Sequence, residues 1–218
     1  MKGKMVLGLD LGQAADYTAI AIVEQEGERY EARHLERMSL GTPYPEVAAH
    51  VKALLESDAV AEDTGLVVDA TGVGAPVVDM LRKEGLRPVA IYITSGDKAT
   101  REGSTFHVPK RDLVSTAAVL LQNKRLKIAA DLPQAAALVN ELLAFKVKVD
   151  PATAHDSYGA WREGTHDDLV LALALALWTM EQIAEPRIRI FDAEKGWLSD
   201  EDIRREATEG WVPGTGIE

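Results

Sequence analysis

The chain has 218 residues, of which 46% are hydrophobic and 27% charged, a composition that fits one globular domain with a buried core. It has no cysteine and no apolar run long enough to span a bilayer, which excludes disulfides, a thiolate nucleophile, a cysteine-based zinc site and a membrane span, so we expect a soluble intracellular protein. The formal net charge of -11 argues against nucleic-acid binding, which depends on neutralising phosphates, unless part of the acidity lies in a metal site or in the C-terminal tail.

Two short apolar runs near the start of the chain predict strands. Residues 5–11 and 17–25 are rich in Val, Ile and Leu and are bounded by Gly and polar residues. Residues 29–38 mix polar and apolar side chains as in an edge strand, so the three strands together predict an antiparallel meander. The first run is continuously apolar, as in a strand buried on both faces, yet it contains Asp10. Because a buried carboxylate is costly unless it is paired or bound to a cation, Asp10 predicts a functional site.

The middle of the chain alternates between strands and helices. Apolar residues at helical spacing predict a helix that opens at Tyr44, and a buried-type strand over 66–70 follows it. Pro76 suits the first turn of a second helix, and the next strand is predicted over 88–93. This order requires parallel crossovers, so we predict an α/β fold with a mixed sheet. The strand over 66–70 contains a second acid, Asp69.

The last part of the chain contains a long run in which Leu and Ala alternate, over 171–177. Period alone would indicate a strand, but the high helix propensity of both residues and the N-cap signal of Thr165 favour a buried helix. We expect 1–184 to form one domain and 185–218 to be a charged C-terminal tail, docked on a neighbour or partly disordered. The elements predicted between these regions are a loop or hairpin over 94–107, a helix from Pro109, a strand over 126–128, a helix through Leu143, a strand over 145–149 and a hairpin return over 150–163.

Four acids form three groups along the predicted elements, and each group has an ordinary structural explanation. Asp10 could begin a turn, and Asp69 could accept hydrogen bonds from the backbone of the next turn. Asp167 and Asp168, at the start of the last buried helix, could be cap and macrodipole residues. The ordinary explanations weaken when the groups are taken together, because functional groups gather at the carboxyl ends of adjacent parallel strands.

A cluster of these acids would favour divalent cations. Like charges so close together cannot all stay ionised without a cation, and hard oxygen ligands suit Mg²⁺ or Mn²⁺. Two such ions can activate a water and stabilise the leaving oxygen of a phosphodiester. The acids therefore predict metal-dependent phosphodiester hydrolysis.

Five short motifs occur in an order that resembles a known family. They are Gly8-Leu-Asp-Leu, Asp16-Tyr-Thr-Ala19, Val68-Asp-Ala-Thr-Gly-Val-Gly74, His107-Val-Pro-Lys-Arg-Asp-Leu113 and His166-Asp-Asp-Leu169. The set resembles the C-terminal nuclease domain of tailed-phage large terminase subunits, over roughly residues 5–182. The resemblance implies a ribonuclease H-like fold, with a mixed sheet flanked by helices, and a metal-dependent endonuclease that cuts concatemeric viral DNA during genome packaging.

The resemblance also implies roles for individual residues. Asp10, Asp69 and Asp168 would hold two Mg²⁺ or Mn²⁺ ions, with Asp167 an additional or alternate ligand, and His166 would assist catalysis. Basic residues near the site could contact backbone phosphates, although a solvated basic face explains each of them equally well. These predicted DNA contacts are Lys98, Arg101, Lys110 and Arg111.

The expected partners follow from the same resemblance. The chain contains no Gly-x-x-x-x-Gly-Lys-Ser/Thr phosphate loop, so we expect either an excised domain or a free-standing protein without the packaging ATPase. Double-stranded DNA and a terminase ATPase domain, or other packaging-motor components, are the expected partners, in the cytoplasm of a bacterial host and encoded by a phage or prophage. No membrane partner is expected.

Three alternatives remain open at this stage. The segments 8–12 and 69–74 also resemble the phosphate-binding loops of actin-like and Hsp70-like ATPases, although those folds need two lobes and this chain is too short for both. A Holliday-junction resolvase shares the acid cluster and the fold but acts on another substrate. A non-catalytic DNA-binding module of the same fold is the third. Binding of ATP, selective binding of four-way junctions, and DNA binding without cleavage would distinguish them.

Overall fold

The computed structural model describes residues 3–12, 16–72, 74–149, 156–160, 166–183, 191–192 and 196–197. The chain divides into two compact units, Met1–Glu181 and Gln182–Glu218. The predicted acids all lie in the first unit.

Within the described residues, the first unit is built on a sheet of eight strands with five helices. The sheet strands are β1 Lys4–Asp10, β2 Ala19–Glu26, β3 Arg29–Arg37, β4 Gly65–Asp69, β5 Pro88–Thr94, β6 Thr100–Glu102, β7 Thr105–Pro109 and β8 Leu126–Ile128. The helices are α1 Tyr44–Leu55, α2 Gly74–Lys83, α3 Lys110–Gln122, α4 Ala135–Ala144 and α5 Asp168–Ile183, of which the last continues two residues into the second unit. Two further strands, β9 Phe145–Val149 and β10 Asp156–Ala160, pair with each other. In the second unit, β11 Phe191–Asp192 pairs with β12 Gly196–Trp197.

The strand order of the sheet is β6-β7-β5-β4-β1-β2-β3-β8. β1, β2 and β3 form an antiparallel meander, and β4 and β5 add to β1 in parallel. The predicted mixed α/β sheet is therefore confirmed, and the polar segment after β5 forms the predicted hairpin, β6–β7. The prediction that β3 is an edge strand is wrong, because β8 pairs with it in parallel. β8 covers only Tyr30–Ala32, so most of β3 keeps the mixed composition that is typical of an edge.

The alternating Leu–Ala segment is helical, as predicted, and it forms the buried centre of the molecule. Every residue from Leu169 to Trp178 is buried within α5. The helix lies directly against β1, because a Cβ atom built on Gly8 would lie 2.0 Å from the carbonyl oxygen of Ala172. Glycine permits this close approach of backbone to backbone. The first turn of α5 is thereby brought towards the end of β1, where Asp10 lies.

A β-bulge changes which side chains of β3 face α5. Ile22 pairs with His34 but Val23 pairs with Ala32, so that the register shifts by one residue at Arg33. Tyr30, before the bulge, donates a hydrogen bond to Glu181 of α5. Because the bulge inserts one residue, Arg37 follows odd spacing from Tyr30 yet points to the same face.

Several predictions fall on residues that are described only in part. The predicted hairpin return over 150–163 is described over Asp156–Ala160, which pairs with β9, and Thr165 lies outside the described residues. Most of the predicted tail, 185–218, lies outside them as well, so the domain boundary at 184 stays a prediction. Within the described part of the chain, none of the helices combines the length and apolar character needed to cross a membrane.

Candidate metal centre

Two of the predicted acids end neighbouring parallel strands. Asp10 is the last residue of β1 and Asp69 is the last residue of β4, and Leu9 pairs with Val68 one position earlier. Asp10 is buried and Asp69 is partly buried. Oδ1 of Asp69 also accepts a hydrogen bond of 2.8 Å from the backbone N–H of Thr71, so the turn role considered for this residue is real. That bond leaves the second carboxylate oxygen of Asp69 available to the site.

The third group of acids lies at the start of α5. Asp168 is the first residue of the helix and is buried, while Asp167 precedes it and is partly exposed. Both are near Asp10, because their negative charges act on its carboxyl group. Strand ends and helix start thus bring together the four acids that the sequence predicts.

The electrostatics of the metal-free protein show how crowded these carboxylates are. Burial, followed by the charges of Asp69, Asp168 and Asp167, raises the pKa of Asp10 well above its usual range. Burial is also the largest cause of the raised pKa values of Asp69 and Asp168. The unfavourable charge of such a cluster is what a bound divalent cation offsets.

Lys110 lies inside this acid cluster rather than on an open surface. Its Nζ atom donates a hydrogen bond of 2.8 Å to Oδ2 of Asp167, and its positive charge lowers the pKa values of Asp10 and Asp69. Lys110 is the first residue of α3, directly after β7, which explains why it reaches the same end of the sheet. The sequence assigned it to DNA phosphates, and the structure also gives it the acids as partners.

The other three predicted DNA contacts lie on or near the β6–β7 hairpin and the start of α3. Arg111 contacts Asp97 through an ion pair of 3.1 Å between Nη1 and Oδ1. Nε of Arg101 donates to the carbonyl oxygen of Gly103, and Lys98 is exposed. Their role in binding DNA remains a prediction.

A second set of possible metal ligands includes one residue that the sequence analysis did not select. Asp16, His166 and Asp168 each offer one ligand atom, and these atoms lie within 4.8 Å of one another. Nδ1 of His166 is 3.5 Å from Oδ2 of Asp168, and its ring packs edge-on against Tyr17 with the centroids 4.9 Å apart. Asp16 belongs to a motif that carries the family resemblance, and its position six residues after Asp10 was the available signal.

The residues present fit a divalent metal. Oδ2 of Asp168 is buried and has no hydrogen-bond partner among the described residues. A buried carboxylate oxygen without a donor is unfavourable unless a cation occupies the position. The ligand set, carboxylate oxygens with one imidazole, suits Mg²⁺ or Mn²⁺ and also accepts Zn²⁺.

Arg37 and Glu141 were not predicted, and they adjoin the acid cluster. Nη2 of Arg37 donates to Oε1 of Glu141 and lies 3.7 Å from Oδ2 of Asp168. Oε2 of Glu141 accepts a hydrogen bond of 3.0 Å from the backbone N–H of Val170. Burial raises the pKa of Glu141 to about 7. The available signal was an acid on the buried face of the otherwise apolar helix α4, three residues after Leu138.

A carboxylate cluster at the ends of two central parallel strands, next to an antiparallel meander, defines a ribonuclease H-like fold with a metal-type site. The family model described as the terminase RNaseH-like domain matches residues 7–179. The chain therefore belongs to the family of terminase RNase H-like domains.

Solved structures show the same fold. The large terminase nuclease of the thermophilic phage G20c is 23% identical, with 82% of each chain covered and a TM-score of 0.63. Its magnesium-bound structure is 24% identical over 80% of each chain, with a TM-score of 0.62. The full large terminase of a second thermophilic bacteriophage is 14% identical over 83% of this chain and 40% of that one, with a TM-score of 0.61. A search of curated proteins gave no match.

Proposed function

We propose that this chain is a metal-dependent endodeoxyribonuclease that cuts concatemeric phage DNA during genome packaging. The observation that carries the proposal is the convergence of Asp10, Asp69 and Asp168, from two strands and one helix, on one buried site. Family membership supports a terminase-type nuclease, and the likeness to large terminase nucleases supports the fold on which such a site is built.

Mg²⁺ or Mn²⁺ is the proposed cofactor, with two ions bound. Asp10, Asp69 and Asp168 would hold the ions, and Asp167, Asp16 and His166 are additional ligands within reach. The phage G20c nuclease has been solved with magnesium and with zinc. When bound, the ions would activate a water molecule and stabilise the leaving oxygen of the phosphodiester.

The chain's own groups prepare the site for this chemistry. Burial of Asp10 and Asp168 excludes bulk water and strengthens electrostatic interactions between the carboxylates and a cation. Lys110 orients Asp167 through its hydrogen bond and offsets part of the negative charge. Lys98, Arg101 and Arg111, near the same end of the sheet, would contact the phosphate backbone of the duplex.

We also propose that a terminase ATPase acts with this domain in the cytoplasm of a bacterial host. The match covers 40% of the second phage's large terminase, a protein that has been solved in complex with ADP and with ATP-gamma-S. The net charge of -11 would make DNA affinity weak and salt-sensitive for this chain alone. An ATPase part, on the same or another polypeptide, would then deliver the DNA.

Cleavage of supercoiled plasmid tests the proposal. Wild type, Asp10→Asn and Asp69→Asn are compared in Mn²⁺, Mg²⁺ and EDTA, with Asp79→Asn as the matched control. Asp79 is an exposed acid on α2 whose ion pair with Arg82 is of a kind that contributes little. We expect metal-dependent nicking in wild type and in the control, and only the EDTA background in the other two variants.

The contrary outcomes point to different alternatives. Nicking that survives both site substitutions would show that other residues, or a contaminant, carry the activity. DNA binding without cleavage in any divalent ion would favour a non-catalytic module. Preferential cutting of four-way junctions over linear duplex would favour a resolvase.

A further inference from the structure

We propose that Arg37 and Glu141 are positioning residues of the metal centre, which together fix the first turn of α5 so that the Asp168 carboxylate faces the other acids. Neither is among the metal ligands considered above. The inference rests on the proposed function, because it assigns a role within the same site.

Glu141 holds the start of α5 from a neighbouring helix. The first backbone N–H groups of a helix have no acceptor within the helix itself, and in α5 the N–H of Val170 donates to Oε2 of Glu141 at 3.0 Å. This bond is buried, and a negative charge is favourable at this end of a helix. A carboxylate on α4 therefore fixes the height and direction at which α5 begins.

Arg37 connects that carboxylate to the metal-site acid. The same guanidinium nitrogen, Nη2, donates to Oε1 of Glu141 and lies 3.7 Å from Oδ2 of Asp168. The side chains of Arg37, Glu141 and Asp168 are only 18%, 6% and 7% exposed. Buried charges of this kind persist when their geometry is well defined, since an unpaired one is strongly unfavourable. Arg37 thus sits between two buried carboxylates and sets the distance between them.

Two further features fix the orientation of Arg37. Its guanidinium lies over the ring of Tyr17, 5.0 Å from the centroid, which restricts its plane. The β-bulge at Arg33 turns the end of β3 so that Arg37 lies on the face of the sheet that α5 covers. Bulges next to active sites commonly re-aim a side chain in this way.

The geometry favours a positioning role over metal binding. At 3.7 Å the contact of Arg37 with Asp168 is too long for a hydrogen bond, so Oδ2 of Asp168 keeps its capacity to bind a cation. A guanidinium carries only donors and cannot itself bind a metal. Groups that orient metal ligands in this indirect way typically change metal affinity or activity by about 10–100-fold when they are removed.

Manganese binding without DNA tests the inference. Isothermal titration of the full chain with Mn²⁺ compares wild type, Arg37→Met, Arg37→Lys and Glu141→Gln. Arg33→Met is the matched control, because Arg33 is on the same strand and pairs with Glu24 and Glu31 at the surface. Titrations are run well below the unfolding temperature of each variant, so that a loss of stability alone does not change the result.

We expect Arg37→Met to weaken Mn²⁺ binding by about 10–100-fold and the control to leave it unchanged. Arg37→Lys should recover part of the affinity, since it keeps the charge but not the planar fork. Because Arg37 and Glu141 act as one unit, combining Arg37→Met with Glu141→Gln should weaken binding less than the two single losses multiplied together.

The outcomes that overturn this inference differ from those that overturn the proposed function. A wild type that binds no Mn²⁺ and cuts no DNA would overturn both. A wild type that binds and cuts, with Arg37→Met matching the Arg33→Met control in affinity, would overturn only the positioning role, even if Arg37→Met unfolds at a lower temperature. Should Arg37→Met fail to fold, equal affinity in Arg37→Lys, Glu141→Gln and wild type would overturn it as well.

Discussion

The contact between α5 and β1 can be tested by adding one methyl group, with Gly8→Ala. The new Cβ atom would lie 2.0 Å from the carbonyl oxygen of Ala172 and 3.1 Å from the backbone nitrogen of Ala176. Neither is the end of a flexible side chain, so the helix itself must move. Overpacking of a core costs about 1–3 kcal/mol, and a backbone clash this short places Gly8→Ala at the upper end. At about 2–4 °C per kcal/mol for a chain of this size, the melting temperature should fall by roughly 6–12 °C.

The functional effect of Gly8→Ala follows from the same movement. If α5 shifts away from β1, Asp168 moves away from Asp10, so Mn²⁺ affinity should fall together with stability. Urea unfolding and Mn²⁺ titration measure the two effects separately. Gly65→Ala is the control, because its Cβ would lie 3.4 Å from a methyl group of Val6, at the edge of ordinary contact. A Gly8→Ala protein as stable as the control, with wild-type metal affinity, would refute the direct packing of α5 on β1.

Two further predictions concern the charge of the metal-free site. Because burial raises the pKa of Asp10 above its unfolded value, the folded protein binds more protons, and the stability that this carboxyl contributes when protonated is lost as the pH rises from about 4 through the raised pKa. Asp10→Asn should therefore be more stable than wild type at neutral pH in EDTA, with a flatter pH profile in urea unfolding; a less stable variant would contradict this sign. Lys110→Met removes a cation from the acid cluster. It should lower the melting temperature in EDTA, and Mn²⁺ should raise that temperature more than in wild type; an equal rise in both proteins would show that Lys110 does not offset the cluster.

Local signals were sufficient to predict most of the fold. Hydrophobic runs, turn residues and helix propensities predicted the strands and helices of the first unit to within a few residues, because each element is consistent with its own local sequence. The exception was β3. Its polar residues indicated an edge, and pairing with a three-residue strand almost a hundred positions later leaves no trace in the local pattern.

The candidate site could be predicted only where chemistry and sequence motif coincide. Asp10 and Asp69 stood out because an acid inside a buried strand conflicts with its surroundings. Arg37 and Glu141 had no such signal, since their meaning comes from each other, across 104 positions, and from a bulge that the sequence does not mark. Asp16 was overlooked because an exposed loop acid is ordinary until its distance to His166 and Asp168 is known.

The acidic charge of the chain, which counted against DNA binding, gains a different meaning from the site. Acids gathered at one end of the sheet repel a phosphate backbone only while they are without cations. Two divalent ions there would offset four of the eleven net negative charges, at the place where the backbone must approach. A duplex would then be attracted to the metal centre in particular, while the rest of the acidic surface disfavours other modes of binding. On this reasoning the same ions that carry out hydrolysis also determine where the DNA lies, and a separate basic patch is not required for a domain to which an ATPase delivers the substrate.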